Sequence, residues 1–516
     1  MKSQSSEPVA ELGDIPLDVF RKHLHEVADW IADYRENIAK MRISPAAKPG
    51  AIIAALSTSA PETGEPLEQI FADIDRLVVP GTVRWDHPQF MGYFGSTTTA
   101  PGILAEMMTA AFNVNAMTWR TSPVATELET VVLDWLRQWL GLPDDFSGVV
   151  YDTASISVFH ALAAAREEAG ISVRTLGLSG RTELPIFRIY VSDQAHSSVV
   201  KAAIALGLGE HNVRKIASDG EFRMNVAALR EAISADLRKE FKPLAVVATV
   251  GTTSTASVDP VREIAAVCAE HQMWLHIDAA YGGGVALLPE CAPLVDAFDL
   301  ADSIVINPHK MLFVPFDFSA LYVREIERLR RVFTLVPEYL RGDAAGAEIN
   351  YMDYGIQLGR RFRALKAWFV IRAFGRDGLA ARIREARRLA LLFASWVESD
   401  SRFELLAPVH MAVACFRARG LKGNASDAAD ADAPPTQTVE RDADALNERL
   451  LTRVNDTGEA YLTHTRLHGR LALRVAVGNV LTTETHLARA WELIRLQLES
   501  ILSEEQPANR GDELNA

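Results

Sequence analysis

The sequence contains very little cysteine. Only Cys268, Cys291 and Cys415 occur in 516 residues, and no two of them have the C-x-x-C spacing. This usage excludes a disulfide framework and is typical of a protein in a reducing compartment. We therefore expect the protein in the cytoplasm.

Long apolar runs and an excess of positive charge are also missing. No apolar run reaches the roughly 18 residues of a transmembrane helix, and the N-terminus is polar, without the apolar core of a signal peptide. The formal net charge of −14 argues against nucleic acid or an anionic membrane as a partner. The sequence has no P-loop, no G-x-G-x-x-G fingerprint, no metal-ligand spacing and no repeat. Its length predicts two or three subdomains.

Two apolar runs end in side chains that can carry chemistry. Residues 303–306 predict a buried strand that ends at Asn307, three residues before Lys310. Residues 274–277 predict a second buried strand that ends at Asp278. A lysine amine and a carboxylate at neighbouring strand ends suit pyridoxal phosphate (PLP), because the amine condenses with the cofactor aldehyde and the acid pairs with the ring nitrogen. Taken alone, such a lysine would be a surface residue and such an aspartate a helix cap.

Strands alternate with helices from Ile186 onward, which predicts a parallel sheet. Each predicted strand is followed by a polar side chain. In a parallel sheet these side chains meet at one edge, which is where open α/β sheets bind ligands. The four side chains are His196, Thr253, Asp278 and Lys310.

Helix starts give a second indication of a ligand. Residues 152–155, Asp-Thr-Ala-Ser, predict the start of a helix that runs to about Ala169. The free N–H groups and the dipole at such a start favour an anion, so we place a phosphate site there. Ser122 and Asp259, each followed by proline, are predicted to cap two further helices.

Several segments together resemble the group II PLP-dependent decarboxylases, and most closely the aromatic L-amino acid decarboxylases. The segments are Asn307-Pro308-His309-Lys310, Leu275-His276-Ile277-Asp278-Ala279-Ala280-Tyr281 and Ser192-Asp193-Gln194-Ala195-His196-Ser197-Ser198. The resemblance runs from about residue 14 to about residue 500. It implies PLP as the cofactor and an α/β fold of PLP fold type I, similar to aspartate aminotransferase, with a mostly parallel central sheet.

The resemblance also implies three domains and a homodimer with a shared active site. Residues 1–99 would be a helical segment that packs on the partner subunit, and apolar periodicity predicts an amphipathic helix there from Pro16 to about Lys40. Residues 100–374 would be the large PLP-binding α/β domain, and residues 375–516 a small α+β domain. Within the last, residues 423–440 are rich in Ala, Asp and Pro, which predicts a flexible acidic loop.

The positions that match functional residues of the family form three groups. Those implied to bind the cofactor are Ala154, Ser155, His196, Thr253, Asp278, Ala280, Ser303, Asn307, His309 and Lys310. Those implied to be catalytic are Lys310, Tyr339, His196 and Asp278. Those implied to line the substrate pocket are Tyr93, Phe94, Ser96, Met117, Trp119, His196 and Gly359. No metal is implied.

Within these groups, the family suggests roles for individual residues. His196 would stack on the cofactor ring, and Met117 would be contributed across the dimer interface. Tyr339 would lie on a loop, residues 333–346, that closes over the site and delivers a proton to the carbon that has lost CO₂. Phe94-Gly95-Ser96 stands where the family commonly has Phe-Pro-Thr, and Thr153 stands where it has serine.

The implied reaction is decarboxylation of an aromatic L-amino acid (tryptophan, phenylalanine, tyrosine or a hydroxylated relative) to the arylalkylamine and CO₂. Tyr93, Phe94 and Trp119 favour a flat side chain. One alternative is an aromatic acetaldehyde synthase, which couples decarboxylation to oxidative deamination; such enzymes often have Phe at the position of Tyr339 or Asn at that of His196. The other alternative is a PLP-binding protein without turnover.

Overall fold

A computed structural model of the protein describes residues 13–45, 47–95, 97–335, 348–420 and 437–505. The chain divides into two compact units, Met1–Arg42 and Ile43–Ala516. The first unit contains helix α1 (Leu17–Asn37), which continues into the 3-10 turn Ile38–Lys40, as the apolar periodicity predicts. On α1 the side chains of Leu17, Phe20 and Leu24 are exposed.

The second unit is built around a seven-stranded sheet. Its strands are β1 (Phe146–Tyr151), β2 (Phe187–Ser192), β3 (Val213–Ile216), β4 (Lys242–Thr249), β5 (Trp274–Ala279), β6 (Ser303–Ile306) and β7 (Ser319–Arg324). Their order across the sheet is β1-β7-β6-β5-β4-β2-β3. Neighbours from β3 to β6 are parallel, whereas β7 is antiparallel to both β1 and β6. The predicted α/β fold with a mostly parallel sheet is confirmed.

Helices precede and cover this sheet. Before β1 lie α2 (Ala51–Ala55), α3 (Leu67–Asp73), α4 (Val79–Gly81), α5 (Ala100–Phe112) and α6 (Pro123–Trp139). After β1 follow α7 (Ala154–Glu168), α8 (Val173–Leu176), α9 (Ser198–Ala205), α10 (Val226–Leu237), α11 (Val261–His271), α12 (Pro308–Met311) and α13 (Glu327–Phe333). Because helices cover both faces, strands such as β5 are buried at every position and read as continuous apolar runs.

A second sheet follows the first along the chain. Helix α14 (Ala364–Ser399) leads to β8 (Phe403–Leu405) and β9 (Val413–Ala418), then α15 (Gln437–Thr457), β10 (Thr463–Leu467), β11 (Arg470–Ala476) and α16 (Glu484–Glu505). The strand order is β10-β11-β9-β8, and all pairs are antiparallel. Gly375 interrupts α14 with φ 62° and ψ 176°, a conformation that only glycine adopts readily. The domain boundaries at residues 99 and 374 stay predictions.

Of the two predicted helix caps, Ser122 stands at the N-cap position of α6 with Pro123 in the first turn, although its side chain makes no capping hydrogen bond, whereas Asp259 is not the cap of α11. Ser122 donates its hydroxyl to the carbonyl of Thr118 at 3.0 Å, one turn back along the chain. The carboxylate of Asp259 accepts the backbone N–H groups of Met224 at 2.7 Å and Thr249 at 2.8 Å. Because α11 begins only after Pro260, Asp259 stands too far from its first turn and instead ties the end of β4 to the preceding chain.

No helix in the described ranges combines the length and the apolar character needed to cross a membrane.

Candidate active site

A cavity of about 340 Å³ opens where the parallel strands β4, β5 and β6 end. Of the residues implied to bind the cofactor, it is lined by Ala154, Ser155, His196, Thr253, Asp278, Ala280, Asn307, His309 and Lys310. Of those implied to contact the substrate, it is lined by Tyr93, Phe94 and His196. The prediction that polar groups at the strand ends converge at one edge is confirmed.

Lys310 lies on the short helix α12, directly beyond the end of β6. Its backbone N–H donates to the carbonyl of Asn307 at 2.9 Å, which folds the chain back over the strand end. The Nζ atom lies 5.1 Å from the centre of the Phe94 ring. Burial lowers the pKa of Lys310, and the charge of Asp278 opposes this shift. The neutral amine, which is the form that attacks an aldehyde, is therefore more accessible than for a lysine in water.

Asp278 and His196 approach the cavity from β5 and β2, which lie on either side of β4. Asp278 ends β5, and its Oδ1 accepts the backbone N–H of Ala280 at 3.1 Å. His196 follows β2, and its Nδ1 accepts the backbone N–H of Ser198 at 3.1 Å. Because Nδ1 acts as an acceptor, the neutral ring carries its proton on Nε2. Burial lowers the pKa of His196, while Asp278 favours its protonated form.

The start of α7 and the side chain of Asn307 provide groups suited to a phosphate. Ala154 and Ser155 form the first turn of this 15-residue helix, where N–H groups lack partners within the helix. The Oδ1 atom of Asn307 is buried and has no hydrogen-bond partner. An unpaired buried acceptor is costly and indicates a site built for a polar ligand, while the group of Asn307 that can donate to a phosphate is its Nδ2 amide. The residues present fit a phosphorylated cofactor such as PLP.

Aromatic rings form one wall of the cavity. Phe94 stacks on Tyr281, with ring centres 3.8 Å apart and planes inclined by 19°. Tyr93, which is half exposed, stacks on Trp85 at 5.3 Å. Trp85 and Tyr281 were not predicted as site residues, although both line the cavity. A wall of this kind accommodates a flat apolar side chain.

Gly251 shows how closely the backbone approaches the cavity. It follows β4 with φ +90°, and a Cβ atom there would lie 2.9 Å from the backbone nitrogen of Gly282. Any other residue would push the segment after β4 away from the end of β5.

Arg474 is a functional candidate that the sequence reading missed. It lies on β11 of the second sheet, lines the cavity and is 5% exposed. Its guanidinium carbon lies 5.3 Å from the centre of the Phe94 ring, and its Nε donates to the carbonyl of Ser254 at 2.7 Å. The Nη2 atom is buried without a hydrogen-bond partner. A buried cation with a free donor is a site for an anion, such as a carboxylate.

The apolar residues around Arg474 are the feature of the sequence that indicates its burial. Residues 470–476 read Arg-Leu-Ala-Leu-Arg-Val-Ala, so alternation suggests a solvent-facing arginine. However, the run has no polar residue between Leu471 and Ala476 except this arginine. A single charged residue within such an apolar run is more consistent with a buried residue that has a functional role.

The implied phosphate contact of Ser303 is wrong. Ser303 begins β6, and four residues at about 3.3 Å each place it roughly 13 Å from Asn307 along the strand. Its Oγ accepts the indole N–H of Trp274 at 2.8 Å and lies 2.8 Å from Nδ1 of His276. Both partners lie on the adjacent strand β5 and are buried, so Ser303 joins two strands beneath the site.

Met117, Trp119 and Gly359 do not line the cavity of their own chain. Instead, Ala116 and Arg360 link their segments through a backbone hydrogen bond of 2.8 Å. Trp119 is held at its backbone N–H by Asn350 at 3.0 Å. These positions are compatible with the implied contribution to a partner subunit, which stays a prediction. Ser96 and Tyr339 lie outside the described residues.

A buried ion pair fixes this group of residues. Nη2 of Arg360 lies 2.6 Å from Oε1 of Glu129, and both side chains are almost fully buried. The same carboxylate oxygen accepts the N–H of Val150, while Nη1 of Arg360 donates to the carbonyl of Ala116 at 3.2 Å. The pair therefore connects the segment of Met117 and Gly359 to the end of β1, next to the start of α7.

Replacing Ser303 tests its reassignment. We expect Ser303→Ala to lower the free energy of unfolding of the PLP-free protein by about 1–3 kcal/mol, because Trp274 and His276 lose their shared partner. The affinity for PLP should stay close to that of the wild type. Denaturant unfolding and a PLP titration provide the two measurements, with Asn307→Ala as the control that weakens PLP binding. Equal weakening in both variants would contradict the reassignment.

Comparison with known proteins places this geometry in a family. Residues 49–419 match the pyridoxal-dependent decarboxylase conserved domain. Histidine decarboxylase of Drosophila melanogaster is 38% identical over 94% of this chain, and the match spans 56% of that protein. Aromatic-L-amino-acid decarboxylase of Sus scrofa is 36% identical over 95% of this chain and 98% of that protein.

Solved structures agree with the sequence matches. Oryza sativa TDC with PLP and tryptamine has a TM-score of 0.88 and 36% identity, covering 95% of this chain and 100% of that one. Rhodiola rosea 4-hydroxyphenylacetaldehyde synthase has a TM-score of 0.84 and 32% identity, covering 94% and 99%. These matches decide against a PLP-binding protein without turnover. The chain belongs to the group II PLP-dependent decarboxylase family and is an amino-acid decarboxylase of fold type I that uses pyridoxal 5'-phosphate.

Proposed function

We propose that the protein decarboxylates an aromatic L-amino acid to the arylalkylamine and CO₂. The observation that carries this proposal is the aromatic wall of Phe94, Tyr281 and Tyr93 beside Lys310 and Asp278 in one cavity. The relatives named for aromatic amino acids and the solved structure with tryptamine support it.

PLP, when bound, supplies an electron sink for the pair of electrons left behind when CO₂ departs. In our proposal Lys310 holds the cofactor through its amine, whose pKa burial lowers. The negative charge of Asp278, near the end of β5, would keep the ring nitrogen protonated. Ala154, Ser155 and Asn307 would hold the phosphate, and His196 would contact the ring.

Arg474 orients the substrate in this proposal. Its free Nη2 atom and its position against Phe94 place a carboxylate-binding group at the aromatic wall. An amino acid held there by its α-carboxylate directs its side chain along the rings.

We assign Tyr339, from its position in the sequence alone, as the acid that donates the proton needed to form the amine. A phenol has a pKa of about 10, so it is protonated at neutral pH and can act as an acid. Because this chain has Tyr339 and His196, where aldehyde synthases often have Phe or Asn, formation of the amine is favoured over formation of the aldehyde.

Histidine is a second candidate substrate, because its imidazole is also flat and a histidine decarboxylase is among the relatives. The stacked rings favour larger apolar side chains, because these bury more area against aromatic surfaces.

The homodimer with a shared active site is also a proposal. Leu17, Phe20 and Leu24 are exposed on α1, and Leu104 and Phe112 are exposed on α5. Apolar side chains of this size favour contact with another protein surface. Met117, Trp119 and Gly359 lie outside the cavity of their own chain, which supports a contribution to a partner's cavity. A location in the cytoplasm stays a prediction.

A substrate panel tests the proposed reaction. Purified protein with PLP is incubated with tryptophan, tyrosine, phenylalanine, 3,4-dihydroxyphenylalanine, histidine and glutamate, and amine and CO₂ are measured for each. We expect the highest kcat/KM for one of the four carbocyclic or indole substrates, with one amine formed per CO₂. A clear preference for histidine or glutamate would overturn the proposed substrate class.

Mixed dimers test whether the active site is shared. Lys310→Ala inactivates the subunit's own cavity, and Gly359→Trp should block the cavity of its partner. Mixing the two inactive variants after unfolding and refolding should restore about a quarter of wild-type activity, because half of the dimers are mixed and each has one intact site. Refolding of each variant alone is the control. No recovery in mixtures that contain heterodimers would show that each chain completes its own site.

Tyr339→Phe tests the proposed acid. The variant keeps the ring but deletes the proton, so CO₂ release should continue while amine formation falls at least about a hundredfold, the low end of the 10²–10⁴-fold typical of general acids. The unprotonated carbon should instead react with oxygen, giving aldehyde, ammonia and peroxide. CO₂, amine and peroxide are measured side by side. Amine formation at the wild-type rate would exclude Tyr339 as the acid.

A further inference from the structure

The aromatic wall of the cavity lies on a stretch of chain that is neither helix nor strand. Residues 85–95, which we call the wall segment, contribute Trp85, Tyr93 and Phe94 to the lining of the cavity. Such a segment lacks the regular backbone hydrogen bonds that fix the course of a helix or a strand. The contacts that it makes with the rest of the protein therefore determine where its rings stand.

The wall segment is attached to the second sheet. The backbone N–H of Met91 donates to the carbonyl of Tyr461 at 2.9 Å, and the N–H of Ala476, the last residue of β11, donates to the carbonyl of Met91 at 3.0 Å. The ring of Phe90 stacks on that of Tyr461, with centres 5.1 Å apart and planes inclined by 6°. Because Arg474 also lies on β11, the aromatic wall and the proposed carboxylate-binding group have the same support.

Asn479 anchors the start of the wall segment through its side chain. It follows β11, is 6% exposed and does not line the cavity. Its Nδ2 donates to the carbonyl of Asp86 at 2.7 Å and to that of His87 at 3.2 Å. Its Oδ1 accepts the backbone N–H of Leu481 at 2.7 Å, which fixes the orientation of the amide. One side chain thus joins the two residues that follow Trp85 to the end of the second sheet.

Thr482 provides a second anchor beside the first. Its side chain is 7% exposed, and its hydroxyl donates to the carbonyl of Pro88 at 2.6 Å. Three consecutive carbonyls of the wall segment, those of residues 86–88, therefore accept hydrogen bonds from Asn479 and Thr482. Because each peptide group is planar, a carbonyl that is fixed in direction also fixes the course of the chain on both sides of it.

We propose that Asn479 is a positioning residue for the side chain of the substrate: by holding the carbonyls of Asp86 and His87, it sets where the rings of the wall segment stand relative to Arg474. This inference rests on the proposed function, in which the aromatic side chain of the substrate lies on these rings. Asn479 acts through the backbone of the wall segment and not on the cofactor site. It therefore determines KM and the preference for large rings, rather than kcat or the affinity for PLP.

Two substitutions at position 479 separate the hydrogen bonds from the packing. Asn479→Ala removes the whole amide, whereas Asn479→Asp keeps its shape and the acceptor for Leu481 but loses the donor. We expect Asn479→Ala to raise KM for the preferred aromatic substrate about tenfold, the scale of two neutral hydrogen bonds. Asn479→Asp should raise KM at least as much, because an ionised carboxylate has no donor for the two carbonyls. In both variants kcat and the affinity for PLP should stay within about twofold of the wild type.

The rise in KM should also depend on the size of the substrate side chain. Tryptophan buries more area on the rings of the wall segment than histidine does, so its KM should rise more. Partial unfolding would instead lower the concentration of active protein, and with it the apparent kcat for every substrate, without changing KM. The ratio of KM in the variant to KM in the wild type, measured for tryptophan, phenylalanine and histidine, therefore separates positioning from stability.

Asn447 is a matched control, because it is another buried asparagine whose amide makes three hydrogen bonds to the backbone. It lies on α15 and is completely buried. Its Oδ1 accepts the N–H of Ala418 at 2.8 Å, and its Nδ2 donates to the carbonyls of Ala418 at 2.9 Å and Ala443 at 2.8 Å. These bonds join α15 to β9 and involve no residue of the wall segment. Asn447→Ala should therefore lower the unfolding temperature without raising KM.

Hydrogen exchange in the PLP-free protein provides a readout that does not depend on catalysis. The backbone N–H groups of residues 89–91 are all hydrogen-bonded. Their exchange should accelerate in Asn479→Ala and not in Asn447→Ala, because only the first variant frees the wall segment. Thr482→Val removes the hydroxyl that binds Pro88 and keeps the shape of the side chain. It should accelerate the same amides and raise KM by a smaller factor, and it serves as the test if Asn479→Ala does not fold.

The outcomes distinguish this inference from the proposed function. If the wild type prefers aromatic substrates but KM stays within about twofold in Asn479→Ala and Thr482→Val, the positioning role is wrong and the proposed substrate class stands. A preference of the wild type for histidine or glutamate would end the proposed substrate class, and this inference with it. Equal rises of KM in Asn447→Ala and Asn479→Ala would mean that Asn479 contributes only to stability.

Discussion

The site depends on the register of three parallel strands. In this ladder Thr249 of β4 pairs with Asp278 of β5, and Asp278 pairs with Val305 of β6. Paired residues point to the same face, so a slip of one residue would turn Asp278 to the opposite face of the sheet. The turn after β6 then places Asn307 and Lys310 beside it. Such a slip would also break the hydrogen bonds by which Ser303 of β6 joins Trp274 and His276 of β5.

The cavity contains polar groups that the protein itself leaves unsatisfied. Nη2 of Arg474, Oδ1 of Asn307 and Oγ1 of Thr249 are all buried without hydrogen-bond partners. Leaving such a group unpaired costs about 1–3 kcal/mol each. A ligand that satisfies them offsets this cost, so binding and folding stability are linked at this edge of the sheet. Because the guanidinium of Arg474 reaches the cavity from β11, the link between ligand binding and stability extends to the second sheet.

The sequence predicted those parts of the site that follow a strand directly. Lys310, Asp278 and Ala154 are each identified by an apolar run or a helix start within a few neighbouring residues. Ser303 was misplaced because matching a motif does not reveal which end of the strand a residue occupies. The apolar run around Arg474 indicates that this arginine is buried, but it does not reveal the contact with Phe94, which lies 380 positions earlier in the sequence. The cap at Asp259 failed because its carboxylate accepts the backbone N–H groups of Met224 and Thr249 instead, and the Ser122 hydroxyl is taken up by the carbonyl of Thr118.

The position of Arg474 late in the sequence also determines when the cavity is completed during synthesis. A ribosome releases this chain from its N-terminus, so the groups proposed to hold the cofactor, from Ala154 to Lys310, emerge long before β11 is made. During that interval the nascent protein has its cofactor edge but lacks the buried cation at the aromatic wall. In our proposal, the part of the cavity that binds the substrate carboxylate is therefore among the last features completed in synthesis. A message truncated before residue 470 would yield a sheet that has Lys310 and Asp278 but lacks this guanidinium.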